Sequence, residues 1–190
     1  QLLVTNTERF IRGEPSNNAL LWGSRGTGKS SLIKAILNTY FEQGLRIIEV
    51  DREDLVFLPE IVDEIRELPY RFIVFSDDLS FERGDSTYKA LKSVMEGSIE
   101  SPPENVKVYA TSNRRHLMPE SMKDNQDSKM VEGELHPSEG IEEQVSLSDR
   151  FGLWLSFYPF NQDEYLALVD ALFQDINDRS ELHLLAIRFA

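Results

Sequence analysis

Short apolar runs alternate along the chain with segments whose apolar residues repeat at helical spacing. The runs are almost continuously apolar, as expected for strands that are buried on both faces of a sheet. They cover residues 19–22, 45–50, 72–75, 106–111 and 153–158. Because strands and helices alternate, the pattern predicts an α/β fold built on a parallel sheet with helices on both faces.

Helix start and stop signals accompany this alternation. The first predicted helix covers residues 5–13, with Asn6 or Thr7 as its N-cap and Gly13 as its C-terminal stop. The next ones follow apolar runs and present one apolar stripe each. They are predicted over residues 32–40, 59–68 and 87–96.

A polar stretch, residues 118–146, interrupts the alternation after the fourth run. It is rich in Asp and Glu and is predicted to be an insertion or long loop that contains one short helix. Its acidic surface is either solvated or a docking site for a protein. Beyond the fifth run, Asn161 and Glu164 form a capping box for a helix that extends to Ile176. Ser180 is the predicted cap of one more helix.

Between the first apolar run and the next helix lies the octet Gly23-Ser24-Arg25-Gly26-Thr27-Gly28-Lys29-Ser30. It matches the phosphate-binding pattern G-x-x-x-x-G-K-[ST] in its required strand–helix context. Its glycines allow backbone N–H groups to wrap a phosphate, and the helix N-terminus adds a positive dipole end. We predict that the octet and Ser31 bind a nucleotide, with the Arg25 side chain facing solvent. Lys29 is the predicted partner of the β- and γ-phosphates, and Ser30 of Mg²⁺.

Two carboxylates, Asp77 and Asp78, come directly after the third apolar run. A carboxylate at the end of a buried strand is costly without a cation, so Asp77 is predicted to coordinate Mg²⁺. Asp78 is predicted to orient and deprotonate an attacking water. Glu82 is a competing candidate for that base, since glutamate is more usual than aspartate in this role.

Polar residues also flank the fourth and fifth runs. The amide of Asn113 is suited to hydrogen-bond both a γ-phosphate and the attacking water. Arg114 and Arg115 follow it and are candidates for contact with phosphate, a neighbouring subunit or nucleic acid, or form a solvated pair. Arg150 precedes the fifth run, where it either presents a cation at a surface or is an ordinary exposed arginine.

Charge and composition narrow the classes of function. The chain has 20 Lys and Arg against 33 Asp and Glu, a net charge of −13. That balance argues against a general binder of the phosphate backbone of nucleic acid. The absence of cysteine excludes disulfides, Cys-ligated zinc and thiol catalysis, and is compatible with a cytoplasmic location. No run approaches the roughly 18–20 apolar residues of a membrane span. The chain begins at Gln1 and ends in an apolar run, so a fragment of a longer protein is expected.

Together the motifs resemble those of the AAA+ ATPases, in the same order and across essentially the whole chain. The octet resembles Walker A, residues 72–78 resemble Walker B, Asn113 resembles sensor 1 and Arg150 resembles the arginine finger. Aspartate at position 78 and the sequence around Arg150 are similar to replication initiators and helicase loaders. Several segments also resemble a bacterial family of predicted AAA+ ATPases, the domain of unknown function number eight hundred and fifteen. They are residues 20–30, 77–82, 109–117 and 147–160.

The resemblance implies a parallel sheet of strand order 5-1-4-3-2 followed by a helical lid. On this basis the nucleotide-binding core is predicted over residues 1–159 and the start of the lid over residues 160–190. ATP or ADP and Mg²⁺ are the implied cofactors. A homo-oligomer formed through Arg150 and an unknown protein partner are the implied assemblies, and the sensor 2 arginine is expected beyond Ala190.

The leading hypothesis is therefore an Mg-ATP hydrolase that couples turnover to a conformational change in a macromolecular partner. A small P-loop kinase is a second enzyme hypothesis, but no second substrate pocket is apparent in the sequence. A GTPase is disfavoured because the N-K-x-D guanine signature is absent. The alternative from another class is a nucleotide-dependent interaction module that binds ATP and hardly hydrolyses it.

Overall fold

The computed structural model describes residues 1–81, 85–96, 103–114, 117, 129–131, 134–136, 147 and 150–189. Glu82, Arg115 and most of the predicted insertion lie outside the described residues. The chain divides into a large unit, Gln1–Phe157, and a small unit, Tyr158–Ala190. The predicted assignment of residues 1–159 to a core and 160–190 to a lid stays a prediction.

A parallel sheet forms the centre of the large unit. Its strands are β1 (Ala19–Gly23), β2 (Leu45–Glu49), β3 (Arg71–Ser76), β4 (Val106–Ser112) and, after the insertion, β7 (Leu153–Phe157). Their order is β2-β3-β4-β1-β7, and every neighbouring pair is parallel. This is the order 5-1-4-3-2 read from the opposite edge, so the predicted fold class is confirmed.

A short hairpin lies within the predicted insertion. It consists of β5 (Lys129–Val131) and β6 (Glu134–His136), which pair antiparallel with Lys129 opposite His136. The sequence predicted an insertion or long loop with one short helix here, and it did not predict these two strands. The remainder of the prediction for this stretch falls outside the described residues.

Helices of the large unit follow the strands as predicted, with some changes in their ends. They are α1 (Leu2–Ile11), α2 (Lys29–Tyr40), α3 (Leu58–Ile65) and α4 (Ser86–Glu96). Two 3₁₀ helices, Phe41–Gln43 and Arg52–Phe57, were not predicted. The second of them directly precedes α3 and buries Leu55 fully.

The predicted N-caps of the first helix, Asn6 and Thr7, lie in the interior of α1. Both are buried, and both side chains contact the hydroxyl of Tyr109 on β4, at 3.0 and 2.9 Å. Asn6 also exchanges two hydrogen bonds with the main chain of Asn17. The capping prediction was wrong because these polar groups are satisfied by tertiary partners rather than by the start of their own helix.

Each face of the sheet is covered by a separate apolar cluster. On one face, α1 and α2 pack on alternate residues of the strands. This cluster includes Leu3, Phe10, Ile33, Ile36, Ile73 and Phe75. On the other face, α3, α4 and the second 3₁₀ helix cover the intervening residues. That cluster includes Leu55, Leu58, Val62, Val74, Leu91 and Val108. Burial on both faces accounts for the continuous apolar runs from which the strands were predicted.

The small unit contains two helices, α5 (Gln162–Leu172) and α6 (Arg179–Phe189). The predicted capping box is present: Asn161 Oδ1 accepts from the Glu164 N–H at 2.9 Å, and the Glu164 carboxylate accepts from the Asn161 N–H at 3.0 Å. His183 on α6 contacts Asp170 on α5 at 2.8 Å, which joins the two helices within the unit.

The junction between α5 and α6 differs from the prediction at two points. Helix α5 ends at Leu172 rather than at Ile176. The carbonyls of Phe173 and Gln174, which follow it, accept from the guanidinium of Arg179 at 3.0 and 3.2 Å. Asp178, not Ser180, caps α6, since Asp178 Oδ1 accepts from the Glu181 N–H at 3.0 Å. The side-chain hydrogen bonds of Arg179 and Asp178 thus mark the end of α5 and the start of α6, in place of Ile176 and Ser180.

Gly23 is the last residue of β1 and lies opposite Phe157 of β7. Its φ is +132°, and a Cβ added there would lie 1.9 Å from the carbonyl oxygen of Phe157. The next residue, Ser24, donates its N–H to that same oxygen at 3.0 Å. The absence of a side chain at Gly23 therefore permits the strand pairing from which the following loop departs.

We expect Gly23→Ala to lower the free energy of unfolding by about 3 kcal/mol or more, because the new methyl group meets backbone that cannot move aside. Gly44→Ala is the matched control: Gly44 also has a positive φ, +90°, but open space around it. That variant should lose about 1–2 kcal/mol from the left-handed backbone alone. Urea unfolding followed by circular dichroism measures both, and equal losses would contradict the steric account.

Candidate functional site

The loop between β1 and α2 has the backbone of an anion-binding turn. Gly26 and Gly28 have positive φ values, +74° and +85°, which favour glycine over other residues. The Thr27 hydroxyl donates to the carbonyl of Ser24 at 2.8 Å and closes the turn on itself. Because α2 begins at Lys29, the free N–H groups of its first turn lie at the end of this loop.

Lys29 is held inside this loop. Its side chain is only 7% exposed, and Nζ donates to the carbonyls of Gly23 and Ser24 at 3.0 and 2.7 Å. A third, longer contact of 3.4 Å joins Nζ to Asn113 Oδ1. Burial lowers the pKa of Lys29, while the charges of Asp77 and Asp78 act in the opposite direction. No salt bridge to Lys29 is found among the residues that the structure describes, so the ammonium group remains suited to an incoming phosphate.

Asp77 follows β3 and faces the start of α2. Its Oδ1 accepts from the Ser30 hydroxyl at 2.8 Å, from the hydroxyl of Thr111, and from the N–H of Asp78 at 3.2 Å. None of the hydrogen bonds among the described residues uses the other oxygen, Oδ2. The structure thus brings together Ser30 and Asp77, the two residues predicted to bind metal.

Asp78 adopts a left-handed backbone, with φ +52°, which is uncommon for a residue other than glycine. Both of its carboxylate oxygens are engaged: Asn113 Nδ2 donates to Oδ1, and Arg25 Nη2 lies 3.4 Å from Oδ2. The side chain of Arg25 is 82% exposed, in agreement with the prediction that it faces solvent. It also reaches across the loop to the predicted water-positioning residue, a contact that was not predicted.

These side chains line one open cleft of about 370 Å³ at the carboxyl end of the sheet. Residues 25–31 of the loop form one wall, and Asp77, Asp78, Thr111 and Asn113 form the other. Gly23 and Ser24 contribute through the carbonyls that hold Lys29. All of the predicted nucleotide-binding and metal residues except Gly23 and Ser24 line this cleft, together with Asp78 and Asn113. Open α/β sheets bind ligands at this edge.

The chemistry of this cleft fits Mg²⁺ bound together with phosphate. Backbone N–H groups and the Lys29 ammonium are donors for phosphate oxygens, and the Ser30 hydroxyl and Asp77 carboxylate are oxygen ligands of the kind Mg²⁺ prefers. The described residues contain no cluster of three or more His, Asp or Glu side chains that could hold a metal by themselves. A metal here would accordingly depend on phosphate and water for its remaining ligands.

Arg150, predicted as the arginine finger, is placed outside the cleft and paired within its own chain. Its Nη2 and Nε lie 2.7 and 2.9 Å from Oε1 of Glu96, the last residue of α4. Lys92, one turn earlier on α4, is 3.8 Å from the same oxygen. Arg114 is exposed beside the cleft and donates its N–H to the hydroxyl of Ser112. Arg115 lies outside the described residues.

Two residues of this region were missed by reasoning from sequence, Thr111 and Glu96. Thr111 was assigned only to a buried strand, although a hydroxyl just before Asn113 at a strand end was a usable signal. Glu96 was assigned only to a helix, and nothing in its local sequence distinguishes it from the other acidic residues of the chain. Both act through contacts with residues distant in the chain.

The family to which the chain belongs follows from a comparison with protein-family models. Residues 1–190 match the model described as "Protein of unknown function (DUF815)". The chain belongs to DUF815. This agrees with the resemblance in sequence. The match includes the large unit, the small unit and the residues of the candidate cleft. A search of curated proteins gave no significant match.

Solved structures show the same fold in AAA+ P-loop ATPases. RuvB of Thermotoga maritima, as a P216G mutant, aligns with a TM-score of 0.62 and 17% identity over 97% of this chain and 54% of RuvB. Orc1 of Aeropyrum pernix, solved in complex with DNA, aligns with a TM-score of 0.60 and 16% identity over 92% of this chain and 48% of Orc1. The chain thus spans about half the length of these proteins. No described helix has the length and apolarity needed to cross a membrane.

We expect Lys29→Ala to weaken the binding of Mg-ATP by about 2–3 kcal/mol, since a charge-assisted contact with phosphate is lost. Lys34→Ala is the matched control, because Lys34 is exposed on the same helix and outside the cleft. Titration calorimetry on the full-length protein measures both affinities. Parent-like affinity in the Lys29 variant would show that the loop does not cradle phosphate.

Proposed function

We propose that this member of DUF815 is an Mg-ATP hydrolase of the AAA+ type that couples ATP turnover to a conformational change in a macromolecular partner. The observation that carries the proposal is the meeting of Lys29, Ser30, Asp77, Asp78 and Asn113 around one cleft. These residues come from three separate segments of the chain and supply phosphate donors, metal ligands and water-positioning groups. The AAA+ fold of the solved relatives supports the same reading.

Each residue has a role that its contacts support. Lys29 would exchange its two carbonyl partners and Asn113 for phosphate oxygens. Ser30 and Asp77 would hold Mg²⁺, which neutralises charge that develops on the phosphates. Asp78 would orient the attacking water, and Asn113 would link that water to the γ-phosphate, since its amide already contacts both Lys29 and Asp78.

The alternative function, a nucleotide-dependent interaction module with little turnover, is favoured by one feature of Asp78. Both oxygens of its carboxylate are engaged, by Asn113 and by Arg25. Each contact takes one of the lone-pair sites of the carboxylate and helps to hold the side chain in place, so fewer sites remain to orient a water. Single-turnover hydrolysis by the full-length protein separates the two functions: a bound ATP that persists over many minutes favours the module.

Arg150 is proposed to act on the nucleotide of a neighbouring subunit in a homo-oligomer. It is not among the described residues that line its own cleft. Its guanidinium is nearly half exposed and pairs with a partly exposed carboxylate, Glu96. Exposed pairs of this kind are weak, so phosphate at a subunit interface can replace Glu96 at little cost.

The macromolecular partner is proposed to be a protein, with nucleic acid as the second candidate. Among the solved relatives, RuvB is described as a Holliday junction branch migration motor and Orc1 was solved with DNA. The net charge of −13 does not favour a similar use of DNA by this chain. Stimulation of ATP turnover by added duplex or single-stranded DNA would make nucleic acid the first candidate instead.

The small unit, Tyr158–Ala190, is proposed to be the start of a helical lid.

The catalytic base is tested by comparing two carboxylates. We expect Asp78→Asn to keep ATP affinity and to lower turnover by about 100-fold or more, because the base is removed while the phosphate contacts stay. Glu82→Gln is the matched variant and should keep turnover. Steady-state ATPase assays combined with titration of bound nucleotide measure both quantities. A near-normal rate in the first variant with a loss in the second would assign the base to Glu82.

The trans role of Arg150 is tested by mixing inactive subunits. Arg150→Ala and Lys29→Ala should each be inactive alone, since a guanidinium at the transition state contributes about a thousandfold or more. A mixture should recover turnover, because some interfaces then join an intact loop to an intact arginine. Arg12→Ala is the matched control, as it removes an exposed arginine that pairs with Glu14. Full activity of Arg150→Ala in dilute, monomeric protein would contradict the role.

A further inference from the structure

The hydroxyl of Thr111 lies between the two aspartates that follow β3. It donates to Asp77 Oδ1 and accepts the N–H of Asp78 at 2.9 Å. Thr111 itself is 1% exposed, at the carboxyl end of β4, yet it belongs to the wall of the cleft. The hydroxyl group of Thr111 is thus a hydrogen-bond donor to Asp77 and a hydrogen-bond acceptor for the N–H of Asp78.

The contact with Asp77 fixes which carboxylate oxygen remains for a metal. Thr111, Ser30 and the Asp78 N–H all donate to Oδ1. No hydrogen bond among the described residues uses Oδ2. If Ser30 turns its lone pair to Mg²⁺, Thr111 and the Asp78 N–H are the donors that still hold Oδ1. A carboxylate anchored through one oxygen is oriented to present the other, as in the outer shells of metal sites.

The contact with Asp78 fixes the backbone instead of the side chain. A φ of +52° at aspartate is held only when surrounding hydrogen bonds determine it. Thr111 supplies two of these: its hydroxyl accepts the Asp78 N–H, and its carbonyl accepts the N–H of Leu79 at 2.7 Å. The turn after β3 is therefore fastened to β4 at both residues that follow Asp77.

We propose that Thr111 is the positioning residue of this site, which orients Asp77 toward Mg²⁺ and holds Asp78 in the backbone conformation that directs its carboxylate into the cleft. This inference rests on the proposed function, because it assigns the metal and the water to the same two aspartates. In this proposal Thr111 acts through these two aspartates.

The test compares Thr111→Val, which keeps the shape and removes the hydroxyl, with Thr111→Ser, which keeps the hydroxyl. In the full-length protein, we expect Thr111→Val to raise the Mg²⁺ concentration for half-maximal ATPase activity by about 10- to 100-fold. Its kcat should fall as well, because Asp78 loses one of the hydrogen bonds that hold its backbone. Nucleotide affinity measured in EDTA should stay at the parent value, and Thr111→Ser should return the Mg²⁺ requirement toward the parent.

Two controls separate positioning from folding. Thr7→Val removes another buried threonine hydroxyl, one that contacts Leu3 and Tyr109 and lies outside the cleft, and should leave the Mg²⁺ requirement unchanged. Thermal unfolding identifies a variant that does not fold. If Thr111→Val is one, Thr111→Ala carries the same test, since it adds no bulk at the buried position.

The outcomes for this inference and for the proposed function are distinct. A folded Thr111→Val with the parent's Mg²⁺ requirement and kcat would overturn the role of Thr111 while leaving an active ATPase. Equal loss in Thr111→Val and Thr111→Ser would also overturn it, since the hydroxyl would then not be the responsible group. Absence of Mg-dependent nucleotide binding in the parent protein would instead overturn the proposed function.

Discussion

The parallel pairing of β3, β4 and β1 is the constraint on which the candidate site depends. Register places Ser76 of β3 beside Ala110 of β4, and Thr111 of β4 beside Leu21 of β1. Three strand ends, far apart in sequence, are thereby aligned at one edge, and the residues that follow them meet. Because both faces of the sheet are buried, a shift in register would displace apolar residues from both clusters, and the alignment is correspondingly well determined.

Most of this arrangement was predictable because its signals are local. The phosphate loop, the apolar runs and the carboxylates after β3 each occupy a few consecutive residues, and the α/β rule for ligand position joins them. The capping box at Asn161 and Glu164 was predicted for the same reason. The resemblance to AAA+ ATPases supplied the strand order, which periodicity alone does not determine.

The side-chain contacts between residues distant in the chain were not predicted from the sequence. Asn6 and Thr7 have the composition of N-caps, but Tyr109 and Asn17 take their hydrogen bonds and place them inside α1. The pairs Arg25–Asp78 and Arg150–Glu96 likewise join ordinary surface residue types over long separations. Such partners are chosen by the packed fold, so local propensity carries no information about them.

The charges at the cleft give a physical reason for binding nucleotide and metal together. Lys29 and Arg25 are opposed by Asp77 and Asp78, so these four side chains carry no net charge, in a chain of net charge −13. A phosphate entering without a cation would meet Asp77 at close range, and the repulsion would offset part of the attraction to Lys29. With Mg²⁺ present, Asp77 becomes a favourable partner instead. On the proposed function, the groups that orient Asp77 therefore also determine how strongly the protein distinguishes the magnesium complex of ATP from the free nucleotide.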